Sequence, residues 1–368
     1  MNYFDVLILF IISFASSVAF TYYIRKILIG ADISDNPIVS EHRHKTGTPT
    51  MGGIAFLFSV LFVASIYFKN QYILITSIIM LTAGLAGLLD DLIGFKVKEY
   101  QKIIKNITKS PITIGQLTLN SGEEARAATP KAKAVVDDLL NEKKLELVAE
   151  IPIKNEMGEI EKIIGQLVIG IFLVITGTVI TLGGFSLGPF VVIGGTTIGL
   201  IAIPIILIAI IGAINAINLI DGMDGLASGI IAIASIGCAI FGFLNGNFGA
   251  ILAFTLLAAI SLGFLVFNRY PASIFMGDTG SFALGAGFAT AVLITNIPYF
   301  GVLSLAIPIV SVIISLCHRA KIIRLPVEPL HHTLNYRGMS EKKIVFSYWF
   351  LTAVICIIGL LVDYYIYL

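Results

Sequence analysis

Apolar residues run along this chain in long blocks. They show neither the strict alternation of a half-buried sheet nor the one-sided stripe of a surface helix. A helix that crosses a bilayer needs about 20 mostly apolar residues. Ten blocks meet that demand, at roughly 6–24, 52–68, 72–89, 163–182, 198–217, 226–244, 248–267, 281–296, 301–317 and 344–366. Between 183 and 197 the run Gly183-Gly-Phe-Ser-Leu-Gly-Pro interrupts an apolar stretch and predicts a loop or short hairpin. The first block has no basic residues ahead of it, and Arg25 and Lys26 follow it. It reads as an uncleaved span with its N-terminus outside.

One region breaks the pattern. In 92–162, Ile112-Thr-Ile-Gly-Gln-Leu-Thr-Leu alternates like a strand. Pro130 to Leu140 reads as a helix with Thr129 as N-cap, and Leu145 to Ile153 reads as a second strand. The predicted fold is therefore an all-α polytopic membrane protein of ten transmembrane helices, both termini outside, with a small α+β cytoplasmic insert. Residues 1–91 and 163–368 form the membrane body, and 92–162 the insert between the third and fourth spans.

Composition agrees with this division. The 368 residues are 57% hydrophobic and 13% charged, against about 25% charged in ordinary globular domains, and mean hydropathy is +0.94. The insert holds 12 of the 24 Lys and Arg residues and 11 of the 23 Asp and Glu residues. Ten spans place 25–51, 90–162, 218–225, 268–280 and 318–343 on one side, and every Lys and Arg except Lys69 falls in those loops. By the positive-inside rule that side is the cytoplasm. A net charge of +1 suggests no nucleic-acid partner. Cys238, Cys317 and Cys356 show neither pairing nor metal spacing.

Twelve acidic residues lie outside the insert, and five of them gather at the cytoplasmic ends of three spans: Asp90, Asp91, Asp221, Asp224 and Asp278. Carboxylates at a bilayer edge are costly, so clustering at one depth points to a task. Asn218, Asp221 and Asp224, at i, i+3 and i+6, share a face if their helix continues. Three acidic corners suit Mg2+, a hard cation that takes one or two carboxylates together with substrate phosphates. On the same side, His42-Arg-His-Lys-Thr-Gly-Thr-Pro-Thr-Met-Gly-Gly leads into the second span. Its hydroxyls, Thr48 and Thr50 among them, and its glycine-rich backbone suit phosphate oxygens. The pair His331 and His332 suits phosphate contact or proton handling.

These pieces, in this order, resemble the polyprenyl-phosphate N-acetylhexosamine-1-phosphate transferases. The likeness rests on Gly47-Thr-Pro-Thr-Met-Gly-Gly, Asp90-Asp91, Asn218-Leu-Ile-Asp-Gly-Met-Asp-Gly, Asn268 through Phe275-Met-Gly-Asp-Thr-Gly-Ser, and Pro329-Leu-His-His. It covers the membrane body and not the insert. It implies that a polyprenyl phosphate in the membrane lipid attacks the β-phosphate of a UDP-N-acetylhexosamine donor on the cytoplasmic face of the plasma membrane. The products would be polyprenyl-diphospho-sugar and UMP. The resemblance makes Asp278 the Mg2+ ligand and places Asp90 and Asp91 near the lipid phosphate. It sets Asn218, Asp221 and Asp224 beside the nucleotide-sugar, and Asn268 and Phe275 in a uracil pocket. Lys45, His331 and His332 would touch phosphates or sugar, and a homodimer is suggested. The family's active-site lysine maps best to Lys162, in Glu161-Lys-Ile-Ile-Gly-Gln, with Lys102 in the near-copy Tyr100-Gln-Lys-Ile-Ile as runner-up. The family's third histidine is Thr333 here. The donor therefore stays open among a muramoyl-pentapeptide, an N-acetylglucosamine and an archaeal precursor. The insert is expected to cap the cleft or contact the donor's distal part. From another class, a secondary transporter would also have many spans and buried carboxylates, though its ionisable groups sit near the bilayer midplane and often repeat.

Overall fold

A computed structural model describes residues 3–34, 47–94, 97–108, 110–114, 117–126, 130–154, 158–175, 184–186, 192–194 and 199–367. The chain divides into two compact units, one of residues 1–37, 41–91 and 158–368, the other of 38–40 and 92–157.

In the first unit every predicted span contains a helix. In chain order these are α1 (Tyr3–Gly30), α2 (Ile54–Ile66), α3 (Gln71–Gly94), α5 (Glu159–Ile175), α6 (Gly199–Ile220), α7 (Leu226–Leu244), α8 (Phe248–Asn268) and α9 (Gly277–Ile294). The pair α10 (Pro298–Ser304) and α11 (Ala306–Arg319) follows, then α12 (Leu330–Tyr336) and α13 (Glu341–Tyr367). Among the described residues, six helices are long and apolar enough to cross a membrane, or seven if the bent pair counts as one span. That makes a multi-pass membrane protein, but by this measure fewer than the ten spans expected, because α2 and the apolar part of α6 (Pro204–Ile220) are short and only 17 residues of α5 are described. The span expected at 301–317 is not one rod: α10 and α11 meet at Leu305 with a bend of 69°. The glycine-broken stretch does carry a hairpin, Gly184–Ser186 (β6) against Val192–Gly194 (β7). The far end of the fourth span, 176–182, lies outside the described residues.

Small residues let the helices approach closely, as lipid-embedded helices require in place of a hydrophobic drive. Ser17 on α1 donates to the carbonyl of Ile260 on α8 at 2.7 Å, and a Cβ on Gly263 would lie 2.6 Å from that of Ser17. At the other end of the bundle, Asp363 of α13 accepts from Tyr299 at 2.5 Å and from Asn245 at 2.7 Å. Three helix ends are tied there through one buried carboxylate.

The tightest approach is at Gly53, which leads into α2. A Cβ there would sit 2.1 Å from the backbone nitrogen of Gly280 in α9. Rigid backbone cannot yield, so Gly53→Ala should destabilise the protein by about 1–3 kcal/mol, the usual cost of overpacking. The detergent-solubilised variant should melt lower than the parent; an unchanged melting temperature would contradict this contact.

The second unit is a small α+β module. Its antiparallel sheet runs in the order β4 (Glu124–Arg126), β1 (Val97–Asn106), β5 (Leu145–Lys154). The stretch 112–119, expected as one strand, is a tight hairpin of β2 (Ile112–Ile114) and β3 (Leu117–Leu119). Helix α4 (Pro130–Asn141) starts at Pro130 as predicted, and its proposed cap Thr129 lies outside the described residues. Ile104, Ile114, Leu119, Val136 and Leu145 form a separate small core. Buried Asn106 joins β1 to the hairpin: its amide donates to Ser110 and Leu119 carbonyls and accepts from Thr108.

Candidate active site

The site is built around the N-terminus of α9. Gly277 has φ +68°, a conformation glycine adopts without strain. It turns the chain into α9 so that Asp278 lies in the first helical turn and not ahead of it. Asp91, near the end of α3, caps this helix from outside. Its carboxylate accepts from the backbone N–H of Asp278 at 3.0 Å, from that of Thr279 at 2.9 Å and from the Thr279 hydroxyl at 2.6 Å. One turn earlier on α3, a Cβ on Gly87 would lie 2.2 Å from the carbonyl oxygen of Asp278. Gly87 and Asp91, at i and i+4 on one helix face, thus grip the backbone that presents Asp278.

The neighbouring residue Asp90 points elsewhere. Its side chain is 5% exposed, and it meets the Lys162 ammonium at 2.5 Å. Lys162, at the start of α5, also reaches Asp278 Oδ2 at 3.2 Å. The other oxygen of Asp278, Oδ1, accepts from Asn218 Nδ2 at 2.8 Å, and that amide also donates to Ser281 at 3.0 Å. Four residues far apart in sequence thus form one cluster, with a single cation between two carboxylates. Burial opposes the charge on Lys162, but its hydrogen bond to Asp90 and the field of Asp278 outweigh it, so its pKa is raised. It stays an ammonium at neutral pH. The runner-up Lys102 belongs to the other unit, on β1, where it pairs with Asp137 at 2.7 Å.

The aspartates after α6 do not share a helix face. The helix ends at Ile220, and a turn closes with Gly225 at φ +76°. Asp224 is buried and accepts from the Ala272 N–H at 2.9 Å, while its own N–H donates to Glu341 at 2.8 Å. Asp221 lies next to Gly222, against which both imidazoles press through Nε2: a Cβ there would meet His331 Nε2 at 2.7 Å and His332 Nε2 at 2.9 Å. Thr333 is buried and its hydroxyl donates to the Val327 carbonyl. It therefore fastens the short helix α12, which carries both histidines, to the segment before it.

Loop 270–276 is held from several sides. Asn268 is 3% exposed; it accepts from Ser228 at 2.9 Å and donates to the Ile274 carbonyl at 2.9 Å. Phe275, half-buried, has its N–H on the Pro49 carbonyl and its carbonyl on the Gly52 N–H, both at 2.8 Å. The Gly53 N–H likewise binds the Met276 carbonyl at 2.8 Å. The glycine-rich run before α2 was expected to offer amides to phosphate. Its glycine N–H groups are instead spent on the loop ahead of α9, so this run is the seat of that loop. Thr48 and Thr50 flank it, half-buried, while Lys45 lies outside the described residues.

An apolar cleft of about 320 Å³ lies between α6, α9 and the bent pair α10–α11. Its lining includes Ala213, Ala216, Phe288, Val292, Val302 and Ile309, and Ala216 stands two residues before Asn218.

Sequence reasoning missed Thr279 and Ser281, which follow Asp278 directly, and also Gln166, Asn215 and Glu341. Thr279 and Ser281 were legible in the run Gly-Asp-Thr-Gly-Ser. The other three carried no local signal, because each finds its partner on a distant helix.

A multi-helix membrane body with carboxylates gathered at helix ends defines the class, and comparison with known proteins narrows it. Residues 132–296 match the profile of glycosyl transferase family 4. Residues 45–57 match signature 1 of the phospho-N-acetylmuramoyl-pentapeptide-transferases. A protein of Methanothermobacter thermautotrophicus, provisionally named a phospho-N-acetylmuramoyl-pentapeptide-transferase, is 59% identical over 356 residues, covering 97% of each chain. Enzymes of that name from Thermoanaerobacter sp. (strain X514) and Alkaliphilus metalliredigens are 30% and 31% identical, over 94% and 92% of this chain and 93% and 91% of theirs. The chain belongs to this family of membrane transferases.

Proposed function

We propose that the protein transfers a phospho-N-acetylhexosamine group from a UDP-sugar to polyprenyl phosphate, at the cytoplasmic face of the membrane. The observation that carries this reading is the Lys162–Asp90–Asp278–Asn218 cluster at the ends of apolar helices. An oxygen of the lipid phosphate attacks the β-phosphorus of the donor. The bond from that phosphorus to the bridging oxygen breaks, and UMP leaves with the oxygen. A phosphate monoester has a second pKa of about 6, so it is largely ionised at pH 7 and needs no strong base. What the protein must supply is positioning and charge neutralisation. Lys162 contributes a fixed positive charge, and Asn218 holds the orientation of Asp278. His332 and Asp221, half-buried beside Gly222, would meet donor phosphates or sugar, while His331 is fully buried against the same glycine. The apolar cleft beside α6 suits an isoprenoid tail.

The donor atoms suit Mg2+. Asp278 and Asp90 offer hard carboxylate oxygens, and no cluster of three or more His, Cys, Asp or Glu able to cage a metal occurs among the described residues. A site of one or two carboxylates completed by substrate phosphates is the habit of Mg2+. When bound, the ion would shield the diphosphate and polarise its phosphorus. Asp278 would be its ligand.

The test is UMP release from a panel of UDP-N-acetylhexosamines, including the muramoyl-pentapeptide, with polyprenyl phosphate, with and without Mg2+. Release from at least one donor, dependent on both lipid and Mg2+, is the expected result. Folded protein that releases no UMP from any of them would overturn the reading.

A further inference from the structure

Among the described residues, Lys162 is the cation that pairs with Asp90 and Asp278, and helix α5 carries it. Of this helix only Gln166, Ile169, Gly170 and Leu173 are buried among the residues whose exposure is described. Ile160, Ile163, Ile164, Val168 and Ile171 are exposed. The helix therefore rests on the bundle by a narrow stripe, and apolar contacts on so narrow a stripe resist sliding weakly.

Lys162, partly exposed, continues this stripe towards the helix start, since Lys162, Gln166 and Gly170 are spaced by four and share one face. Gly170 allows close approach: a Cβ there would lie 2.5 Å from Leu207 Cδ2 of α6. One turn from it, Gln166 is 1% exposed, and its Oε1 accepts from Asn215 Nδ2 of α6 at 2.6 Å. The same Asn215 amide donates its other hydrogen to the Ile211 carbonyl at 2.8 Å, which fixes its orientation. Asn215 lies one turn before Asn218, the residue that binds Asp278. Two rungs thus join α5 to α6. The outer one is Lys162 to Asp278 to Asn218, and the inner one is Gln166 to Asn215. Around the inner rung lie Ile169, Leu173, Ile206, Ile210 and Ile214, so Gln166 is shut off from water while Asn215 is half-buried. A side-chain hydrogen bond between helices in apolar surroundings is modest in strength, but it is directional where the surrounding packing is not.

We propose that Gln166 and Asn215 are positioning residues: their amide pair sets the register of α5 on α6 and so places the Lys162 ammonium between Asp90 and Asp278. Neither residue touches substrate. The proposal rests on Lys162 being the active-site cation.

The test uses the full-length protein in detergent or bilayer discs. Gln166→Asn keeps the burial and polarity of the position but shortens its reach by one carbon. Turnover (kcat) should fall about tenfold to a hundredfold, since a misplacement of about 1 Å costs up to that much. Donor KM and melting temperature should hardly move. Adding Asn215→Gln restores the combined reach, and the double variant should recover most of the lost turnover. A merely structural role would lower the melting temperature and would gain nothing specific from the second change. Normal turnover in Gln166→Asn, or no recovery in the folded double variant, would overturn the proposal. Lys162→Met assayed alongside separates the two failures. If it is fully active, the reading of Lys162 itself is wrong. If it is inactive while Gln166→Asn is fully active, only the positioning role falls.

Discussion

Asp278→Asn is expected to abolish Mg2+-dependent turnover while the protein stays folded. The substitution conserves shape and removes charge. Folding should survive because the contact that anchors α9 does not use this side chain: Asp91 binds the backbone N–H of residue 278 and both donors of Thr279. What is lost is the carboxylate that Lys162 and Asn218 together orient. Removing one preorganised electrostatic group typically costs about 10²–10³ in kcat. If Asp278 holds the ion as proposed, the effect should reach the upper end of that range. The check is UMP release across an Mg2+ titration, with thermal unfolding of the same preparation as the folding control. Turnover near that of the parent would remove Asp278 from the site.

Lys162→Met should lower turnover by a comparable factor, about 10²–10³, for a different reason. Methionine preserves most of the apolar stem and deletes the ammonium. Two carboxylates are then left facing each other without their shared cation. Like charges so placed cannot both stay ionised cheaply, and the pair tends to hold a proton between them. The site loses its fixed positive charge and part of its negative charge together. The Lys162 side chain is 30% exposed, so water screens some of the penalty and the variant should still fold. Lys162→Arg should recover only part of the activity, because a planar fork does not replace a compact ammonium between two carboxylates. Measured by kcat at saturating donor, a Lys162→Met value within about twofold of the parent would show that the cation is dispensable.

The two variants also show which parts of the site could be read from the chain. Asp90, Asp91, Asp221, Asp224 and Asp278 stood out because charge is scarce in the membrane body, and scarcity makes position informative. Their separate duties did not. Asp90 and Asp91 are adjacent in sequence, yet neighbouring side chains on a helix diverge by about 100°. One meets a cation while the other caps a helix. Asn218, Asp221 and Asp224 looked like one face only on the assumption that α6 continues, and it stops at Ile220. The glycine-rich run before α2 looked like a phosphate cradle because free amides at a helix start suit anions. Whether those amides are free is a tertiary matter, and Phe275 and Met276 occupy them.

By itself the sequence determined the membrane class, the place of nearly every helix and the presence of a separate charged module, and it singled out the acidic cluster that serves as the candidate site. These follow from composition and from periodicity over 15 to 20 residues, and such local patterns survive without knowledge of partners. Only the tertiary structure separates the surroundings of Lys162 and Lys102, whose flanking residues are near-copies; one stands between Asp90 and Asp278, the other pairs with Asp137. It likewise decided that Thr333 faces inward, that the ninth expected span is bent by 69°, and that Gln166 meets Asn215. Each of these is a contact between residues distant in the chain, and the energy that selects it arises when helices pack. A one-dimensional pattern carries no record of that choice.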